Sequence, residues 1–78
     1  MRVTFYAAAA DAAGLRELEV DGPLSATELV AQLGAGHPAL AAVLQRCSIL
    51  VDGRQVSEPA APLPEQARVD VLPPFAGG

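Results

Sequence analysis

Lysine and tryptophan are absent from this 78-residue chain, and cysteine and methionine occur once each. A lone Cys47 excludes an intrachain disulfide and a cysteine-based metal cluster. Three aromatics (Phe5, Tyr6 and Phe75) are too few to line a deep aromatic ligand pocket. Five arginines face nine acidic residues, for a net charge of −4. Nucleic-acid binders need a basic patch to displace counterions, so this balance argues against such a partner. It fits a soluble protein that docks on basic partner surfaces. No apolar run approaches the roughly 18–20 residues of a membrane span, and Met1-Arg2-Val3-Thr4 does not open a secretory signal. The expected setting is the cytoplasm, with no nucleic-acid or membrane partner.

The missing lysine has two readings. A chain whose C-terminus becomes an activated acyl group gains by lacking amines that attack it. A GC-rich genome also favours Arg and Ala codons over Lys, and the sixteen alanines support that plainer reading. Hydrophobic residues make up 51% of the sequence, which argues for a folded domain over a disordered tail. The length allows one domain with a small core.

Arg2 to Ala7 alternates with Val3, Phe5 and Ala7 on one face, the period of a strand. Ala8 to Ala13 favours helix and stops at Gly14. In Leu15 to Val20, Leu18 and Val20 oppose Glu17 and Glu19, predicting a half-buried second strand. Ser25-Ala26-Thr27-Glu28 reads as a capping box opening a helix with Leu29, Val30 and Leu33 on one face, ending at Gly34. Pro38 suits a first turn, and a further helical stretch runs through Leu40, Val43 and Leu44. Ser48 to Val51 is a strand, Asp52-Gly53 the hairpin turn and Arg54 to Val56 the short return. Three prolines make 57–65 irregular, and Arg68 to Leu72 alternates as the last strand before Pro73-Pro74.

An antiparallel pair, a helical crossover and a late strand parallel to the first give an α+β fold. It is a β-grasp, or ubiquitin-like, arrangement: a mixed sheet of about five strands packed on one main helix. Residues 1–74 form the domain in this reading, and 75–78 a flexible Gly-Gly tail launched by a stiff Pro-Pro stalk.

Pro73-Pro74-Phe75-Ala76-Gly77-Gly78 closes the sequence. At about 7% glycine per position, two terminal glycines arise by chance in roughly one chain in two hundred. With no strand to turn into, the pair reads as a thin tip carrying a carboxylate into a narrow enzyme site. Cys47, at a predicted helix end, reads as a small buried hydrophobe, and His37 as a loop or cap residue without a second metal ligand. Arg54 and Arg68 read as solvated strand residues.

Val51-Asp52-Gly53-Arg54, Pro62-Leu63-Pro64-Glu65 and the run from Val69 to Gly78 together resemble the small subunit of molybdopterin synthase, a sulfur carrier with the ubiquitin fold. The Pro-Pro before the tip favours that family over the sulfur carrier of thiamine-thiazole synthesis; the carrier that feeds cysteine synthesis has a similar Ala-Gly-Gly ending. The nearly uncharged stretch Tyr6 to Asp11 departs from the charged helix often found there. The resemblance implies that an E1-like adenylating enzyme, using ATP and Mg²⁺, activates Gly78. A sulfur donor protein then converts it to a thiocarboxylate. The tail enters the large synthase subunit, where sulfur passes to a pyranopterin precursor. It also implies a carrier that is itself non-catalytic and binds no cofactor or metal. On this resemblance Gly78 is expected to be the reactive residue, with Gly77 obligatory for access. Pro74, Phe75 and Ala76 make the partner contacts, though Phe75 can equally fold back on the sheet. The alternative use of the same tip is a ubiquitin-like modifier that forms isopeptides.

Overall fold

The computed structural model describes residues 1–74. Five strands form one mixed sheet in the order β2-β1-β5-β3-β4. They are β1 (Arg2–Phe5), β2 (Glu17–Glu19), β3 (Ser48–Val51), β4 (Arg54–Gln55) and β5 (Arg68–Leu72). Three helices accompany them: α1 (Ala8–Ala13), α2 (Ala26–Gly34) and α3 (Pro38–Leu44). β1 runs antiparallel to β2 and parallel to β5, which pairs antiparallel with β3. This is the expected β-grasp.

Alternation explains the layering. Val3 and Phe5 of β1 and Val69 and Val71 of β5 point towards the helices and are buried. Leu29 and Leu33 of α2 and Leu40 and Leu44 of α3 close over them. A side chain of this size contributes about 1.5–3 kcal/mol on full burial. Met1 joins the same core.

Local chemistry sets the ends of the elements. The Ser25 hydroxyl accepts from the Glu28 N–H at 3.1 Å, while the Glu28 carboxylate accepts from the Ser25 N–H at 2.9 Å, completing the predicted capping box. α1 closes on Gly14 at φ 77°, the left-handed conformation that glycine tolerates best. Asp52 and Gly53 take φ 50° and 82°, as a two-residue hairpin with a mirror-image turn requires. Gly34 has another reason to be glycine. A Cβ there would stand 3.1 Å from the Ala41 Cβ and 3.3 Å from its Cα, so it lets α3 pack closely on α2.

Some expectations are corrected. β1 ends at Phe5, two residues early, because Ala7 turns to φ 50° to start α1. β2 holds only Glu17–Glu19, and Leu18, expected to be half-buried, is 38% exposed because β2 is an edge strand that the helices do not fully cover. α3, by contrast, follows the expected stretch from Pro38 to Leu44 and packs on both other helices.

Candidate functional site

The site is built outward from β5, which occupies the centre of the sheet with β1 on one side and β3 on the other. Val69 and Val71 have no exposed surface. The strand is also held at both ends. At its start, the Asp52 N–H donates to the Arg68 carbonyl at 2.8 Å and the Arg68 N–H donates to Asp52 Oδ1 at 2.9 Å. At its end, the Tyr6 N–H donates to the Val71 carbonyl at 3.2 Å, and Leu72 pairs with Ser48. Pro73 and Pro74 therefore follow a strand that is tethered at both ends and anchored in the core by Val69 and Val71.

Pro73 and Pro74 end the strand as predicted, since neither can donate to a ladder. Pro73 is still buried and Pro74 is exposed, so the chain leaves the core at Pro74 rather than at the end of β5. Phe75, Ala76, Gly77 and Gly78 lie outside the described residues, and the two fates open to Phe75 lie there with them.

The sheet face away from the helices carries an apolar patch whose residues the sequence alone did not single out. Leu50 and Leu72 alternate out of phase with the inward Ile49, Val51, Val69 and Val71, and both are half-buried on this open face. Tyr6 stands beside them, exposed, with its hydroxyl donating to Asp70 Oδ1 at 3.3 Å. The signal was available: two leucines in outward phase on neighbouring strands form an apolar patch at the root of the tail.

The remaining candidates take structural roles. Cys47 is half-buried, its thiol donates to the Val43 carbonyl at 3.2 Å, and burial pushes its pKa up, so it is a protonated thiol and a poor nucleophile at neutral pH. His37 is the N-cap residue of α3 without a side-chain capping bond. Arg54 and Arg68 are exposed. Among the described residues, no cluster of three or more His, Cys, Asp or Glu side chains could hold a metal ion. Among them too, no helix is long and apolar enough to cross a membrane.

The sequence profile of the ThiS family matches residues 3–78. The chain belongs to the ThiS family. It is thus a ubiquitin-like small sulfur carrier, a class of proteins that is generally non-catalytic. No curated protein matches it in sequence. Solved structures share its fold closely. Small archaeal modifier protein 1 from Methanosarcina acetivorans superposes with a TM-score of 0.82 at 23% identity, over 99% of this chain and 94% of that one. The putative molybdopterin converting factor subunit 1 from Pyrococcus furiosus gives 0.78 at 21% identity, over 95% of each chain. A chain from the complex of subunits 1 and 2 of the molybdopterin-converting factor from Helicobacter pylori gives 0.72 at 22%, over 99% of this chain and 96% of that one. At these identities the likeness is one of fold.

Proposed function

We propose that this ThiS-family carrier is the small subunit of a molybdopterin synthase, with Gly78 as its reactive residue. The observation that carries the reading is the route of the chain: a central strand tethered at both ends and anchored by the buried Val69 and Val71 leads into Pro73-Pro74, and the sequence closes on Gly77-Gly78. The two converting-factor structures of the same fold support this choice of pathway.

A C-terminal carboxylate has a reference pKa of about 3.3–3.7 and is ionised at neutral pH. As an anion it is a poor acyl donor but a competent nucleophile towards the α-phosphate of ATP, whose charge Mg²⁺ offsets at an E1-like adenylating enzyme. Pyrophosphate leaves and an acyl-adenylate forms on Gly78. The persulfide of a donor protein then displaces AMP, and a donor thiol releases the thiocarboxylate as a disulfide forms on the donor. No side chain of this domain is needed for these steps. Glycine at 77 and 78 lets the tip thread a narrow channel, where Pro74, Phe75 and Ala76 contact the walls. The domain is the handle that partners grip, and the Tyr6–Leu50–Leu72 patch at the root of the tail is the surface nearest the large synthase subunit.

The pathway is tested by reconstitution. Thiocarboxylated carrier and the large synthase subunit should convert the pyranopterin precursor to its dithiolene product. Activity with a thiazole synthase instead would assign the carrier to thiamine synthesis and overturn the proposal. The modifier reading has its own support in the fold shared with small archaeal modifier protein 1, and it requires Gly78 isopeptides on lysines of other proteins.

A further inference from the structure

Among the described residues, β2 forms one edge of the sheet and pairs only with β1. The phase of that pairing is fixed by three bonds. Val20 and Met1 exchange theirs, N–H to carbonyl at 2.9 Å one way and amine to carbonyl at 2.7 Å the other, and the Phe5 N–H donates to the Arg16 carbonyl at 2.7 Å. Bonded positions alternate along an antiparallel pair. The backbone groups of Arg16, Leu18 and Val20 therefore face β1, and the backbone N–H and C=O of Glu17 and Glu19 face outward, where no strand among the described residues pairs with them.

The side chains around this edge are distinctive. Leu18 lies opposite the fully buried Val3, on the helix side of the sheet, yet stays 38% exposed, and nearby Leu15 is 42% exposed. Both border a groove of about 260 Å³ whose other walls include Phe5, Leu33, Leu40 and His37. Glu17 and Glu19 project from the opposite face. Arg2 sits 3.5 Å and the N-terminal amine 3.7 Å from Glu19, whereas among the described residues no cation stands within ion-pair distance of Glu17, which makes Glu17 the more available carboxylate.

These charges decide between occupants. A second copy of the chain pairing antiparallel through Leu18 would set Glu17 of one copy against Glu19 of the other, twice over. Like charges directly opposite destabilise a pair, so the edge is protected against itself. A strand with basic residues in the same phase gains what the second copy loses. We propose that β2 is a strand-addition site for an extended partner segment of basic–apolar–basic pattern. Its backbone bonds the outward groups of Glu17 and Glu19, its apolar side chain enters the groove beside Leu18, and its basic side chains meet the two carboxylates. β5 lies two strands away, about 10 Å, so a segment seated here leaves the root of the tail uncovered. The inference rests on the edge geometry and is independent of the sulfur chemistry.

The test uses the ¹⁵N-labelled full chain and an acetylated, amidated peptide, Thr-Arg-Val-Arg-Val-Arg-Thr. Its scrambled isomer, Arg-Arg-Thr-Val-Val-Thr-Arg, serves as the comparator. The alternating peptide should shift the amides of 15–20, slow hydrogen exchange at Glu17 and Glu19, and bind more weakly as salt rises. The Glu17→Lys variant, altered at an exposed position with no ion-pair partner among the described residues, should bind it about fivefold more weakly with the remaining amide spectrum unchanged. Equal binding of the scrambled peptide, shifts centred elsewhere, or no binding up to about 1 mM would overturn the proposal.

Discussion

Asp52 and Arg68 are joined by two hydrogen bonds, one from the Asp52 N–H to the Arg68 carbonyl at 2.8 Å and one from the Arg68 N–H to Asp52 Oδ1 at 2.9 Å. The hairpin turn between β3 and β4 thereby holds the first residue of the strand that ends at the tail. Asp52 itself adopts φ 50°, which aspartate and asparagine tolerate better than alanine. Asp52→Ala loses both the acceptor and the tolerance and should cost about 1–2 kcal/mol in chemical denaturation. Asp52→Asn keeps an acceptor oxygen and should cost less than half as much. Equal losses in the two variants would show that the clamp contributes nothing.

Gly34 tests the contact between α2 and α3. Gly34→Ala gains helix propensity but drives a methyl to 3.1 Å from the Ala41 Cβ, and the steric term should win. Thermal unfolding should show a lower Tm for Gly34→Ala and recovery in the Gly34→Ala/Ala41→Gly pair relative to Ala41→Gly alone. A stabilised single variant would mean that α3 moves aside at no cost.

Ser25→Ala removes the hydroxyl that caps Glu28, at a position 5% exposed, and should destabilise the domain by about 1 kcal/mol. Glu28→Gln keeps the reciprocal bond to the Ser25 N–H and should cost less. The comparison is read from denaturation midpoints.

Cys47 carries an alkaline signature. Burial raises its pKa above the ordinary 9.0, so the folded state holds the thiol proton more tightly than the unfolded chain. The stability this brings is fully present below pH 9.0 and is lost as pH rises through the higher folded value. Cys47→Ala should flatten that part of the stability–pH curve, and the native thiol should react slowly with iodoacetamide at pH 7. Rapid alkylation of the folded protein would contradict the burial argument.

Most of the scaffold was legible in the sequence because local rules and tertiary packing agree there. The capping box at Ser25, the Asp52-Gly53 turn and the alternation of Val69 and Val71 each specify one conformation. β2 was legible only in outline. The period of Leu18 and Val20 gives their face correctly, but whether that face is covered depends on how far the helices reach across the sheet. Gly34 ends α2 as its sequence position predicts, but its second role, leaving room for Ala41, was not legible because sequence carries no record of Ala41 lying against it. Tyr6 and Leu72 were overlooked for a related reason: an outward apolar residue has meaning only once its neighbours on adjacent strands are known. Gly77 and Gly78 stand out by composition, and the chemistry proposed for them rests on that signal and on the family, since both lie outside the described residues.

The reading places all of the chemistry at Gly78, and intact mass spectrometry tests it most directly. The protein is incubated with ATP, Mg²⁺, an E1-like adenylating enzyme and a persulfide donor, then digested to locate any change. The predicted result is an oxygen-to-sulfur mass gain confined to the C-terminal peptide, abolished in a chain lacking Gly78 and in Gly77→Val, while the amide spectrum of residues 1–74 is unaltered. An unmodified C-terminal peptide in the wild-type chain, or a sulfur gain at Cys47 in its place, would contradict it.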